Sequence, residues 1–261
     1  MRAPTTPVPS TATLLRAEAA KTRRLHLPLI VVVCVGVIYL LTLPLRASDR
    51  ARLDDPGIWL SLLMGYTIIN GLISPILIAF VSSRLVDVEH AGRGWTLHAT
   101  QGVGAGRLMR IKLTILALLL ASAVTAQSLV FVGLVKALGC SQPLDAGLWA
   151  GYTATLIAVD LALAALHVLL AGAVDNQVVC VGIGFIGSLA AFYMFLFPSA
   201  VARLLPWGYW AMISRTSMSP SGDGSIVLVD PDWAWIAGYL LLCAVVFAVA
   251  CARFDRKQVT A

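Results

Sequence analysis

Charge is what this chain lacks most. Asp, Glu, Lys and Arg make up 12% of its 261 residues, about half the share found in soluble globular domains. With 59% hydrophobic residues and a mean hydropathy of +0.87, this excludes a soluble domain and points to a polytopic membrane protein. Cysteine is sparse too. Cys34, Cys180, Cys243 and Cys251 lie in or at the ends of apolar runs and Cys140 stands alone in a polar connector. With no CxxC and no pair at metal-ligand spacing, neither a disulfide framework nor a zinc site is expected. No G-x-x-x-x-G-K-[ST] occurs, so if the protein uses ATP another polypeptide binds it. Glu89-His90 lacks the second His of a metalloprotease helix, and Ser188 with His167 forms no recognisable serine motif. No catalytic, cofactor or metal residue is therefore expected on this chain. A cleavable leader is not expected either, because the first apolar run starts only after 27 residues.

What is present is a set of long apolar runs. Crossing about 30 Å of hydrocarbon takes roughly 20 apolar residues in a helix, and six runs approach or exceed that length: 28–45, 57–81, 113–135, 147–174, 177–197 and 233–252. Barrel strands would be about half as long and would alternate. The expected fold is an all-α membrane protein of six transmembrane helices. In it, 1–12 is a disordered tail rich in Pro and Thr, 13–27 an interfacial amphipathic helix, 28–252 the membrane domain and 253–261 a second tail.

Cations set the expected orientation. Of 19 Lys and Arg, 13 fall on the side of the termini and of the connector between the second and third spans. The other side holds Arg46, Arg50, Arg52, Lys136, Arg203 and Arg215 beside seven Asp. The positive-inside rule then puts both termini and the Arg84 to Lys112 connector in the cytoplasm. Basic connectors facing anionic lipid account for the net +6 without nucleic acid.

At 100° per residue Leu14, Leu15, Ala19, Thr22 and Leu25 share an arc, and Arg16, Lys21, Arg23 and Arg24 occupy the rest. Glu18 falls inside the apolar arc. It either pairs within its helix, with Lys21 or Thr22, or meets another protein element. Between the fifth and sixth spans, Val201, Leu204, Leu205, Trp207, Tyr209, Trp210, Met212 and Ile213 predict short re-entrant helices, with Gly222 and Gly224 in the exposed part.

Gly182-Ile-Gly184-Phe-Ile-Gly187 matches a dinucleotide fingerprint but sits in an apolar span with no preceding strand. Close helix packing is the better reading there and at Gly147 and Gly151. Asp160 and His167 are seven residues apart on one helix. An unpaired charge at mid-membrane costs roughly 2.5–3.5 kcal/mol, so Asp160 faces protein or water, or is protonated. Helix packing through a hydrogen bond, a polar transport path and proton coupling all remain open.

The connector is the most informative segment. It reads Asn70-Gly-Leu-Ile-Ser-Pro75, Ser83-Arg84, Glu89-His90-Ala-Gly-Arg93-Gly-Trp95, then Gly106-Arg107-Leu-Met-Arg110-Ile-Lys112 directly into the third span. A short helix carrying Trp95 and Ala99, pinned between two spans, can fill a groove with an aromatic anchor while flanking Arg and Glu set its orientation. The segment resembles the permease subunits of ABC-2 type exporters, in particular the lantibiotic-immunity and bacitracin-resistance branch. In that family a Glu-His-x-x-x-x-Trp stretch, a short coupling helix and an Arg-x-x-x-x-Lys approach to the third helix dock on the ATPase. An interfacial helix with Glu and a basic cluster, here Glu18 to Arg24, and re-entrant helices before the last span, here Leu205-Pro-Trp-Gly-Tyr209, follow the same plan. The chain departs from the family in reading Gly102-Val-Gly-Ala-Gly106 where Pro and Ser often precede the Arg.

The resemblance implies ATP-driven export of an amphipathic compound such as a peptide antibiotic. It implies as partners two copies of an ABC-type ATPase that carries the ATP and Mg, a second permease subunit, identical or related, and the bilayer. Glu89, His90, Arg93, Trp95 and Arg107 would form the docking element, with Glu18 as a second contact. A proton-coupled carrier using Asp160 and His167, or a membrane anchor or sensor, are the alternatives.

Overall fold

The computed structural model describes residues 8–221 and 224–259; most of the expected amino-terminal tail, and Gly222, lie outside them. Helix α1 (Thr11–Arg24) starts where the Ser10 hydroxyl accepts the Thr13 N–H at 3.2 Å and ends in Lys21, Arg23 and Arg24, cations that suit a helix carboxyl terminus. At His26 the backbone turns left-handed, φ 57°, and the chain bends by 56° into α2 (Leu27–Thr42). Helix α2 stops short of the apolar run because Leu43, which precedes Pro44, is extended, the conformation that a following proline enforces.

After a single turn, α3 (Ala47–Arg50), come α4 (Ile58–Ala91), α5 (Gly94–Thr100), α6 (Ala105–Ala137), α7 (Ala146–Ala173) and α8 (Gln177–Met194). The segment before the last helix holds α9 (Ser199–Ala202), a 3-10 turn at Pro206–Gly208, α10 (Tyr209–Met212), and an antiparallel hairpin of β1 (Thr216–Met218) and β2 (Ile226–Leu228) in which Ser217 faces Val227. Helix α11 (Trp233–Val259) closes the chain. Helices α4, α6, α7, α8 and α11 are each long and apolar enough to cross a membrane, and α1 with α2 makes a bent sixth candidate. The protein is therefore an all-α membrane protein of five to six spans; the three-residue strands are its only sheet among the described residues.

Helix α4 lies at the centre, packed on α2, α7 and α8, while α7 also packs on α6 and α11. Pro75 interrupts α4, and the next amide, Ile76 N–H, donates to Ser188 Oγ of α8 at 3.1 Å. Gly184 makes that contact close: a Cβ there would collide with Ala79, and one at Gly187 with the Trp207 ring. Gly182 has nothing within 4 Å, so two of the three fingerprint glycines serve packing. The packing expectation for Gly147 and Gly151 does not hold within this chain. Both are exposed; Gly151 has no neighbour within 4 Å and Gly147 meets only Asp145, the cap of its own helix.

Two ends can be distinguished. The basic end gathers α1, α5, the start of α6 and the end of α11. The hairpin end holds β1, β2 and an aromatic cluster of Trp59, Tyr66, Phe131, Trp149 and Tyr152, in which Tyr66 and Phe131 lie 4.8 Å apart.

Candidate functional site

Helix α4 continues past the apolar run because Ser82 to Ala91 contain no helix breaker, and it ends at Gly92. Arg93 is left-handed, φ 51°, which turns the chain into α5. Glycine at 94 is dictated by the Glu89 carboxylate, into which a Cβ would project. Gly102, φ 74°, reverses the chain again, and Val103 N–H returns to His98 O at 2.9 Å before α6 begins.

Beneath α5 lies a buried ion cluster. Lys112 Nζ of α6 donates to Glu18 Oε2 of α1 at 2.7 Å, to Glu89 Oε1 of α4 at 2.8 Å and to Leu85 O at 2.9 Å. All three ammonium protons are thus used. Lys21 Nζ binds Glu18 Oε1 at 2.6 Å and Glu89 Oε1 at 2.5 Å. Lys112, Glu18 and Glu89 are 0%, 1% and 2% exposed. Two carboxylates and two ammoniums cancel, which is how ions are held away from water. Glu18 therefore does both things its position in the sequence allowed, pairing within α1 and meeting another element.

His98 Nε2 stands 3.6 Å from Glu89 Oε2. Burial, with the Lys21 and Lys112 charges, holds its imidazole below the ordinary histidine range against the opposing pull of Glu89 and Glu18. Glu18, Glu89 and His98 present ligand atoms within 4.8 Å of one another, but the ammoniums of Lys21 and Lys112 already occupy those carboxylates and would repel a divalent ion.

Two further ties complete the platform. Trp95 Nε1 donates to His90 Nδ1 at 3.3 Å, so the His90 proton sits on Nε2, which donates to Ala171 O of α7 at 2.9 Å. Asp255 of α11 accepts Arg107 N–H at 3.1 Å and Arg110 Nη2 at 2.9 Å, a carboxylate placed at the start of α6 where the helix dipole favours it. The Gly102–Gly106 run serves this junction, since a Cβ at Gly104 would meet Asp255 and one at Gly106 the Cys251 carbonyl. Arg107 Nη2 reaches Pro9 O and Thr11 Oγ1 at 3.2 and 3.1 Å, tying in the start of α1.

Glu18, Glu89, His90, Trp95 and Arg107 thus come together through α1, α4, α5, α6 and α7. Glu89 and Glu18 point inward, Trp95 is half-buried against His90, and Arg93 is exposed with Thr96, Leu97 and Thr100, Leu97 at 57%. Sequence reasoning missed Asp255, which sits in what reads as a tail, and the partnership of Lys21 and His98 with Glu89. The one available signal was Lys112, a cation at the very start of an uncharged span.

Asp160 and His167 are buried elsewhere, in α7, and no ion pair joins them. Asp160 Oδ1, His167 Nδ1 and Trp210 Nε1 have no hydrogen-bond partner among the described residues.

A family model described as ABC-2 family transporter protein matches residues 14–191, from within α1 into α8. No curated protein matches the chain.

Proposed function

The chain belongs to the ABC-2 family of transporter proteins, and from that premise we propose that it is the permease subunit of an ATP-driven exporter whose α5 receives the motion of a separate ATPase. The observation that carries the reading is α5 itself, a seven-residue helix between two long spans, exposed on Arg93, Leu97 and Thr100 and seated on a neutral ion cluster. A rigid seat lets a push on α5 pass to α4 through Glu89 and to α6 through Lys112. Glu89 acts as a positioning residue in this reading, while Arg93 and Leu97 offer contact to the partner. Trp95 fixes the helix against His90, and Glu18 brings α1 under the same load.

In this reading two ATPase copies, each with its own ATP and Mg, serve this chain and a second permease subunit, identical or related, because six helices enclose little space for a large substrate. Both termini face the cytoplasm of a bacterial plasma membrane, as the charge asymmetry supports. The substrate is an amphipathic compound such as a peptide antibiotic, in keeping with the resemblance of the connector to immunity and resistance permeases.

Capture of an ATPase by the tagged full chain is the first test. Leu97→Glu is expected to lower that capture about tenfold, as loss of a central apolar contact does. Trp95→Ala is expected to retain capture and ATP hydrolysis but to lose export. Unchanged export in both variants would remove α5 from the coupling path. The buried Asp160, whose Oδ1 has no hydrogen-bond partner among the described residues, favours one other reading, a proton-coupled carrier. That reading wins if Asp160→Asn alone abolishes transport and dissipating the proton gradient does the same.

A further inference from the structure

At the hairpin end a cleft of about 460 Å³ opens between α4, the end of α8, α10 and the hairpin. Its floor includes Met64 and Ile68 of α4, Met194 of α8 and Met212 of α10. Unbranched thioether side chains adapt to apolar ligands of varied shape. Among these lining groups is Thr216, 5% exposed, whose Oγ1 has no hydrogen-bond partner among the described residues. A buried hydroxyl left unpaired is costly, and a ligand group would relieve that cost.

Among the described residues the charged side chains that line the cleft are Asp230 and Asp232. Each acid is bound on one oxygen, Asp230 Oδ1 by Arg215 at 3.2 Å and Asp232 Oδ2 by Arg203 at 2.8 Å. Those guanidiniums are drawn over the Trp233 and Trp235 rings, 5.8 and 5.0 Å from their centroids. The second oxygen of each carboxylate has no partner among the described residues and stays available to a cation.

We infer that this cleft binds an amphipathic amine, its apolar body on the methionine floor, a polar group on Thr216 Oγ1 and its ammonium at Asp230 and Asp232. The inference rests on the exporter reading for the direction in which the molecule travels, since the proposed orientation puts the hairpin end outside. The site would then be where substrate is held as it leaves, or retained from the outer leaflet.

The probe is a dodecylammonium with a diazirine in its chain, photolysed with the full chain in uncharged maltoside micelles and mapped by mass spectrometry. Label is expected to concentrate on the peptides holding Met194, Met212 and Met218. Ser199→Trp, at an exposed edge of the cleft, is expected to cut that label about tenfold. Asp230→Asn with Asp232→Asn should do the same, the scale expected for a lost charged hydrogen bond. Thr216→Val should reduce it less. Label spread evenly over lipid-facing residues such as Val178 and Leu241, equal labelling by the corresponding alcohol, or insensitivity to Ser199→Trp would each overturn the inference. ATPase capture is measured on the same preparation: an unlabelled cleft with capture retained counts against the cleft, and a labelled cleft without capture counts against the exporter reading.

Discussion

Lys112 is the residue on which the basic end turns. Its ammonium is fully buried and is shared by Glu18 and Glu89, so Lys112→Met leaves two inward carboxylates with Lys21 alone. We expect a loss of about 3–5 kcal/mol, the cost of stranding a buried charge, seen as a lowered thermal midpoint in detergent. Adding Glu18→Gln restores the charge balance and should recover part of it; no recovery would mean that Lys112 acts by packing and not by charge. His98 adds a pH dependence. Burial keeps its folded-state pKa below the ordinary value near 6.5, so the unfolded chain binds the proton first. Its contribution is present above about pH 6.5 and is lost as pH falls through the lower, folded value. Thermal midpoints at pH 8 and pH 5 should therefore differ more for the native chain than for His98→Gln. Of these residues the sequence exposed Glu18, as an acid in an apolar arc, and Lys112, as a cation at the start of a span. It could not pair them, because they are 94 positions apart and pairing is decided by how α1 lies on α6.

At the scale of elements, α5 and the start of α6 depend on glycines for different reasons than a loop does. Gly94 clears the Glu89 carboxylate, and Gly106 clears the Cys251 carbonyl, so that α11 can bring Asp255 to the amino terminus of α6. Gly106→Ala meets backbone, which cannot rotate away. It should cost about 1–3 kcal/mol, as overpacking does, and should loosen the Arg110–Asp255 pair. Gly151→Ala meets nothing and exchanges a poor helix former for the best one, so its thermal midpoint should hold or rise. An equal loss in both would show that the α6–α11 contact is not the cause. The connector was legible as one unit because Glu89, His90 and Trp95 sit close in sequence. Where its helices begin and end was less so. Helix α4 outruns its apolar stretch because helix persistence depends on hydrogen bonding and packing, not on hydropathy, and α2 falls short of its own because of Pro44.

At the scale of the whole molecule, α1 is a packed element. Leu14 joins Val103 and Ile111 in a small core, and Glu18 and Thr22 follow on the same buried face. Leu14→Arg should free α1 and speed trypsin cleavage after Arg16, Arg23 or Arg24 while the membrane helices stay protected; unchanged cleavage would show that the ion cluster alone holds α1. The sequence by itself determined the membrane class, the order of the long apolar runs and the polar connector between the second and third, since hydropathy and charge count act locally and survive in any arrangement of the chain. Only the tertiary structure decided that the connector's acid faces inward, that two lysines from different helices neutralise it, that Asp255 caps α6, and that Gly147 and Gly151 pack on no other helix of the chain. Those outcomes rest on which surfaces meet, and a pairing between distant segments is fixed by the shape of the packed helices.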